Sequence, residues 1–237
     1  QMLPDVVMGC LHQAVADKAP AEGTSCLWNP ALMGGHGLVP DEDFGDATPF
    51  AVGLFHTGGA GARPHKDGLS ATAFPSGVRN TPVEINESIA PIVVWKKEYR
   101  TDSGGAGEFR GGTGQVMEIA SSENAPFAIA ATFDRVHHAP RGREGGLDGF
   151  TGKVELTSGA VLNNKGTQSI PRGDRLHLEM PGGGGYGDPF QRGPGQVAID
   201  VRDGMVSAQA ALDLYGVVLD DSGAVDVGAT ESLRTGK

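Results

Sequence analysis

Apolar positions follow two different periods along this chain. Val7, Met8, Leu11 and Val15 fall on one face of a helix that opens near Pro4 or Asp5, and such a face needs a surface to cover it. Residues 20–48 read as irregular. Residues 50–55 read as a first strand, and 89–99 as a second, with Ile92, Val93, Val94 and Trp95 as its buried run. Between them, residues 57–84 form a long connection dense in Gly, Pro, Asn and Ser, of a length usually kept for function. From residue 115 onward short strands at 116–119, 127–133, 153–156 and 175–180 alternate with turns, the pattern of a sandwich or barrel-like module. Ser207 is placed to cap a helix with Ala208, Ala211, Leu212 and Tyr215 on its apolar face, and Gly216 to end it. A short last helix is expected near 229–234.

The expected fold class is therefore α+β and β-rich, with glycine-rich loops joining short strands and peripheral helices at both ends. Three segments follow: 1–113 with the first helix, strands and long glycine-rich loops, 114–193 as a short-strand β module, and 194–237 as a carboxy-terminal helical segment and tail.

Composition sharpens this picture at one point. The 237 residues include 38 glycines and 15 prolines, clustered and without a triplet repeat. That excludes collagen and argues against a helical bundle, since both residues are costly inside helices. Tight turns and close backbone contacts are the expected result. The formal net charge of −10, with 19 scattered Lys and Arg, leaves no basic stripe for nucleic acid. No run approaches a membrane span, and the first twenty residues lack the pattern of a signal peptide. A cytoplasmic protein is expected, with Cys10 and Cys26 as free thiols.

Familiar nucleotide loops are missing. Gly182, Gly184 and Gly187 make a formal G-x-G-x-x-G, but Asp188-Pro189 disfavours the helix that such a loop must open. A close-packed backbone turn is the better reading. Neither a P-loop nor G-x-S-x-G is present, and none of the seven histidines has zinc-ligand spacing. No metal site is expected within this chain.

The densest chemistry lies at residues 56–68, where His56, Arg63, His65, Lys66 and Asp67 stand among glycines that let a ligand approach the backbone. Arg79, Asn80 and Glu84 follow shortly after. Amide hydrolysis through a phosphorylated intermediate needs a carboxylate or histidine to move protons, and cationic or N–H donors for the developing oxyanion. Asp67, His65, His56 and Glu84 are the candidate catalytic groups; Arg63, Arg79, Asn80 and Gly59 are the candidate substrate contacts. The competing expectation is that Arg63, Asp67, Arg79 and Glu84 pair with one another and merely pin a long loop.

Several stretches, in order, resemble the hydantoinase B/oxoprolinase family. They are Pro4-Asp5-Val6-Val7, Ala62-Arg63-Pro64 with Asp67-Gly68, residues 79–84 (RNTPVE), 102–107 (DSGGAG), 109–112 (FRGG) and 181–189 (PGGGGYGDP), then 200–204 (DVRDG) and 213–218 (DLYGVV). The resemblance runs through almost the whole chain. It implies the carboxy-terminal part of a B-type subunit of an ATP-dependent ring-amide hydrolase, helping to enclose a small-molecule substrate and its phosphorylated intermediate. A subunit of an acetone/acetophenone-type carboxylase and a non-catalytic scaffold half are the alternatives. ATP with Mg is expected on a partner A-type subunit, and a divalent metal in the amino-terminal half of the B-type subunit, which has no counterpart here. The expected partners are that upstream half and the A-type subunit, with no nucleic acid and no membrane.

Overall fold

The computed structural model describes residues 2–25, 28–35, 47–72, 74, 77–78 and 80–236. His36, Cys26 and Arg79 lie outside the described residues. Within them the chain is α+β, as expected, with two antiparallel four-stranded sheets. The first sheet has the order β2 (Phe50–Gly53), β1 (Ala31–Gly34), β5 (Phe127–Thr132), β7 (Lys165–Ile170). The second has the order β3 (Ile92–Tyr99), β4 (Gln115–Ser121), β8 (Leu176–Glu179), β6 (Lys153–Leu156).

Both sheets contribute to one apolar core, which includes Leu32, Phe127 and Ile129 from the first and Ile92, Met117, Ile119, Val154 and Leu178 from the second. Trp28 stacks on Phe133 inside it, ring centroids 4.5 Å apart, and its indole N–H donates to the Asp134 carbonyl. Alternating strands bury one face and read clearly in sequence. Two strands do not. β7 buries only Ile170 fully, and β1 is four residues long inside the stretch expected to be irregular.

The buried run expected at 92–95 is corrected. Ile92 is buried, but the pairing with β4 slips between Val94 and Lys96, and Trp95 is left out of register. Trp95 is 59% exposed, with the Arg175 guanidinium 4.3 Å above its ring. A β-bulge turns an apparent core residue outward in this way. Ile89, expected at the start of β3, instead ends a helix, α2 (Val83–Ile89).

The first helix, α1 (Leu3–His12), ends before Val15; of the face expected from Val7, Met8, Leu11 and Val15, Val7 and Leu11 meet solvent, as do Leu3 and Val6, while Met8 is half-buried. Its single buried residue is Asp5. At the other end α3 (Pro194–Arg202) and α4 (Ala208–Tyr215) build a second small core around Val197, Val206, Ala211, Tyr215 and Val217, and α5 (Val227–Thr235) is tied to it by hydrogen bonds from Arg234 to the Tyr215 carbonyl and from the Val218 N–H to Thr230 Oγ1. Ser207 caps α4 by accepting from Ala210 N at 3.0 Å, and Gly216 ends it at φ +62°, as the sequence predicts.

Between the sheets and this helical module lies the glycine-rich part, which is neither helix nor sheet. Extended segments at 21–24, 58–62, 68–72, 103–107, 110–114, 140–150 and 181–185 run side by side and bond backbone to backbone. In the central segment, Gly182 donates to Phe150, Gly183 to Gly112, Gly184 to Glu22 and Gly185 to Leu147. Gly59, Gly105, Ala62 and Arg143 donate back to residues 181, 183, 184 and 185. Successive residues thus face different neighbours, which suits a polyproline II-like chain that makes no hydrogen bonds within itself. Chains can approach this closely only without side chains. A Cβ on Gly59 would overlap the Gly112 carbonyl, one on Gly183 the Ala60 carbonyl, and one on Gly182 the Ser103 carbonyl.

Candidate functional site

This backbone lattice opens on one side into a cavity of about 360 Å³. Its walls are Pro20, Ala21, Gly23, Ala60 and Gly61, with Leu69, Thr72, Phe74 and Gly77 beside them and Asp5 and Arg63 as the charged residues. The lining is mostly apolar, and the volume falls within the range of small-molecule sites. Asp5 is already committed: Arg135 Nη2 reaches it at 2.6 Å and Ser25 donates to it as well. Arg135 also binds Glu22 at 3.0 Å, and Arg141 binds Glu22 from the other side at 2.5 Å. Burial works to raise the Glu22 carboxyl, but the Arg141 hydrogen bonds and the two guanidinium charges hold it below its ordinary value. This network anchors α1 to the lattice at the cavity edge.

The candidate residues fall into two separate places. Arg63 sits at the cavity on a tight turn closed by hydrogen bonds between Arg63 and Lys66. Its guanidinium donates to the Asp67 backbone carbonyl at 2.7 Å and has no carboxylate within ion-pair distance among the described residues. Gly59 forms part of the lattice below, where its use is close packing. His65 is exposed and is not among the cavity-lining residues.

Asp67 turns away from Arg63. Its two carboxylate oxygens accept from Arg192 Nη1 at 2.8 Å and Nη2 at 2.7 Å, and the Arg110 backbone N–H adds a third bond at 2.8 Å. Arg192 is only 3% exposed and also binds Asp200 through Nε at 2.9 Å and the Glu108 carbonyl at 2.9 Å. Burial would raise the Asp67 carboxyl, yet the Arg192 hydrogen bonds and charge, with Arg110, hold it below the usual carboxylate range. An ionised, fully engaged carboxylate is poorly suited to proton transfer. It does fasten the 63–68 turn to the helical module.

The second place gathers His56, Asn80 and Glu84. His56 is fully buried, and its backbone N–H donates to Asn29 Oδ1 at 2.9 Å. Its ring nitrogens make no hydrogen bond of standard geometry among the described residues, and the Asn80 side chain is the hydrogen-bonding group that acts on them. The Asn80 amide lies nearby, with one end held by Ala71 O at 3.0 Å and the other by Gln115 Nε2 at 3.0 Å. Burial pushes the His56 imidazole down to about 4, the Lys97 ammonium adds to this, and Asn80 opposes it. Lys97 on β3 is itself lowered by burial, with Glu84 in the first turn of α2 opposing. Arg192, Asp200, Lys97 and Gln115 are the residues that sequence reasoning passed over. Asp200 and Arg110 stood inside noted motifs, but nothing local marks that they face each other across 90 residues, or that Asp67 pairs with Arg192 across 125.

Among the described residues one group could hold a metal ion: Glu155, His177 and Glu179, with ligand atoms within 4.8 Å of one another. Its carboxylates already have cations, Lys153 on Glu155 at 2.8 Å and Arg100 on Glu179 at 2.7 Å. His177 also stands 3.4 Å from Glu118, so the group is accounted for as a charged ladder across the strands of the second sheet. No described helix is long and apolar enough to cross a membrane.

Comparison with known proteins gives concordant results. The sequence model described as hydantoinase B/oxoprolinase matches residues 1–189. The B-type component of a putative D-/L-hydantoinase from Pseudomonas sp. (strain NS671) is 34% identical over 187 residues, covering 75% of this chain and 31% of that protein. Among solved structures, the ATP-dependent caprolactamase of Pseudomonas jessenii superposes with a TM-score of 0.74 at 27% identity, over 95% of this chain and 40% of that one. A nucleotide-free acetone carboxylase does so at 0.71 and 23% identity, over 95% and 34%, which shows a shared fold. The chain spans only 31% to 40% of the length of the first relatives it matches.

Proposed function

The chain belongs to the hydantoinase B/oxoprolinase family, and on that footing we propose that it is the carboxy-terminal part of a B-type subunit whose cavity encloses a cyclic amide during ATP-dependent ring opening. The observation that carries this reading is the cavity beside Arg63, walled by backbone and apolar side chains. A ring amide is a poor electrophile until its carbonyl oxygen is phosphorylated, and the activated species must be kept from bulk water. Walls of glycine, alanine, proline and leucine exclude water and present few competing hydrogen bonds. The Arg63 guanidinium, free of any carboxylate among the described residues, supplies donors for a carbonyl or phosphoryl oxygen as negative charge develops. ATP and Mg belong on an A-type partner in this reading, and a divalent metal on the amino-terminal portion of the B-type subunit. Asp67 is assigned to holding the Arg63 turn in place rather than to moving protons.

The ring-amide reading stands ahead of the carboxylase one because caprolactamase is the nearer in identity of the two superposed structures, and a hydantoinase component is 34% identical. The test is an assay of the assembled enzyme with ATP and a panel of cyclic amides, following ADP and ring-opened acid. Arg63→Ala is expected to lower kcat by about 100-fold while assembly is retained, the scale of losing one oxyanion donor. Ketone- and bicarbonate-dependent ATP hydrolysis without ring opening would replace this reading with the carboxylase one. Unchanged turnover in Arg63→Ala would reduce the chain to a scaffold.

A further inference from the structure

The backbone lattice is incomplete on one side of the 58–62 segment, and main-chain groups there have no partner. A polyproline II-like chain has three residues per turn, so its N–H groups point in three directions. Around this segment those directions can be followed residue by residue. Gly59 and Ala62, one turn apart, donate to Pro181 and Gly184 and accept from Thr24 and Ala21. Ala60 donates to Leu69 and accepts from Gly112. The Gly61 N–H has no acceptor among the described residues. The neighbouring segments are also bonded to one another in order: Gly184 to Glu22, Gly183 to Gly112, and Gly68 to Arg110. No described hydrogen bond closes the ring between 68–72 and 21–24, so this gap is the direction left to the Gly61 N–H. The cavity lies in that gap, with Leu69 and Thr72 on one side, Ala21 and Gly23 on the other, and Gly61 between them. The carbonyl of Ala21, a buried residue, is likewise without a partner among the described residues. It stands beside Gly61, where an added Cβ would overlap its oxygen.

We propose that the Gly61 N–H and the Ala21 carbonyl form the edge of the cavity that reads an amide, and that they seat a secondary lactam by its ring C=O and ring N–H. This rests on the ring-amide reading and adds what the cavity recognises. A peptide bond is trans and carries its C=O and N–H on opposite edges, whereas a small ring holds its amide cis and carries both on one edge. A donor and an acceptor side by side on one wall suit the cis arrangement. The lactam carbonyl then bonds to Gly61, on the segment that leads directly into Arg63, and its N–H satisfies a carbonyl that burial has cut off from water. A lactam methylated on nitrogen has no N–H for Ala21 and sets a methyl group against that buried oxygen. A site built to bond a substrate N–H rejects the analogue that lacks it, because its own polar group stays unpaired.

The tests use the intact isotope-labelled chain and the assembled enzyme. Titration with δ-valerolactam should shift the Gly61 amide resonance saturably, and N-methyl-δ-valerolactam should bind the chain about tenfold more weakly or worse. Gly23→Ala supplies a second reading. Its methyl would lie 3.1 Å from Gly61 N and 3.3 Å from Ala60 Cα, which shields the Gly61 N–H for a shift of a few tenths of an ångström, and Gly23 is not in the left-handed region. This variant should bind δ-valerolactam about tenfold more weakly while its thermal unfolding stays close to that of the parent. If it does not fold, the comparison of the two lactams on the parent chain decides alone. A Gly61 resonance that δ-valerolactam leaves unmoved, or equal affinity for the two lactams, would overturn the proposal. Lactam turnover by the assembled enzyme alongside either result would leave the ring-amide reading standing. A saturable Gly61 shift without turnover would overturn that reading and leave the amide-reading edge in place.

Discussion

Replacing Asp67 by alanine separates a structural carboxylate from a proton-handling one. The substitution removes three hydrogen bonds at once, two from Arg192 at 2.8 and 2.7 Å and one from the Arg110 N–H at 2.8 Å. Breaking a buried ion pair by deleting one partner costs about 3–5 kcal/mol, because the other charge stays buried. Two features place Asp67→Ala near the lower limit. Arg192 keeps Asp200 and the Glu108 carbonyl, and the Asp67 side chain is 31% exposed, so water can replace part of what is lost. A loss of about 3 kcal/mol is expected, equivalent to about 6–12 °C in Tm for a domain of this size. The pH dependence has a definite sign. Because the folded carboxyl lies below its unfolded value, its contribution is present above the ordinary aspartate range and disappears as pH falls through the lowered folded value. Asp67→Ala should therefore flatten the acid limb of the stability curve. Urea titration at neutral and acid pH, with turnover of the assembled enzyme measured alongside, decides the matter. An unchanged Tm together with turnover lowered a hundredfold would refute the structural assignment and return Asp67 to proton transfer.

Three further outcomes follow from the same structure. His56 has a folded value of about 4 against 6.5 unfolded, so its contribution is complete above 6.5 and is lost as pH falls from there towards 4; the span amounts to about 3 kcal/mol, and His56→Gln should abolish that part of the slope in denaturation at pH 7 and pH 4.5. Gly183→Ala should prevent folding, since its Cβ would overlap the Ala60 carbonyl, whereas Gly53→Ala, which has nothing within 4 Å, should lie within about 0.5 kcal/mol of the parent by thermal denaturation. Ser207→Ala removes the bond to Ala210 N that opens α4 and should cost about 1 kcal/mol, seen as faster amide exchange in the 194–237 module before global unfolding; uniform exchange would refute an independent second core.

What could be read from the sequence, and what could not, divides along the range over which residues interact. Strands β6 and β8 alternate buried and less buried residues, and β4 and β5 open on continuous buried runs, so apolar patterning betrays all four; the Ser207 and Gly216 signals bound α4 because a cap acts within one turn. The fate of Trp95 could not be read, since a bulge depends on how the partner strand is registered. Nor could the partner of Asp67 be read, because Arg192 lies 125 residues away and is held by Asp200 of α3. The family was legible for a different reason. Four of the segments that carry the resemblance, with Gly68, Gly104, Gly105, Gly111, Gly112 and Gly182 to Gly185, run in the backbone lattice, where an added Cβ meets a neighbouring main chain. Each such position admits glycine alone, so the packing rule is written in the sequence letter by letter. The chemistry is not written that way. Arg63 becomes interesting because no described carboxylate pairs with it, and His56 because its ring is fully buried beside Asn80; both facts are properties of surroundings assembled from several segments. The glycines therefore identify the wall that shapes a site, and only the folded wall shows which side chains are left free to use it.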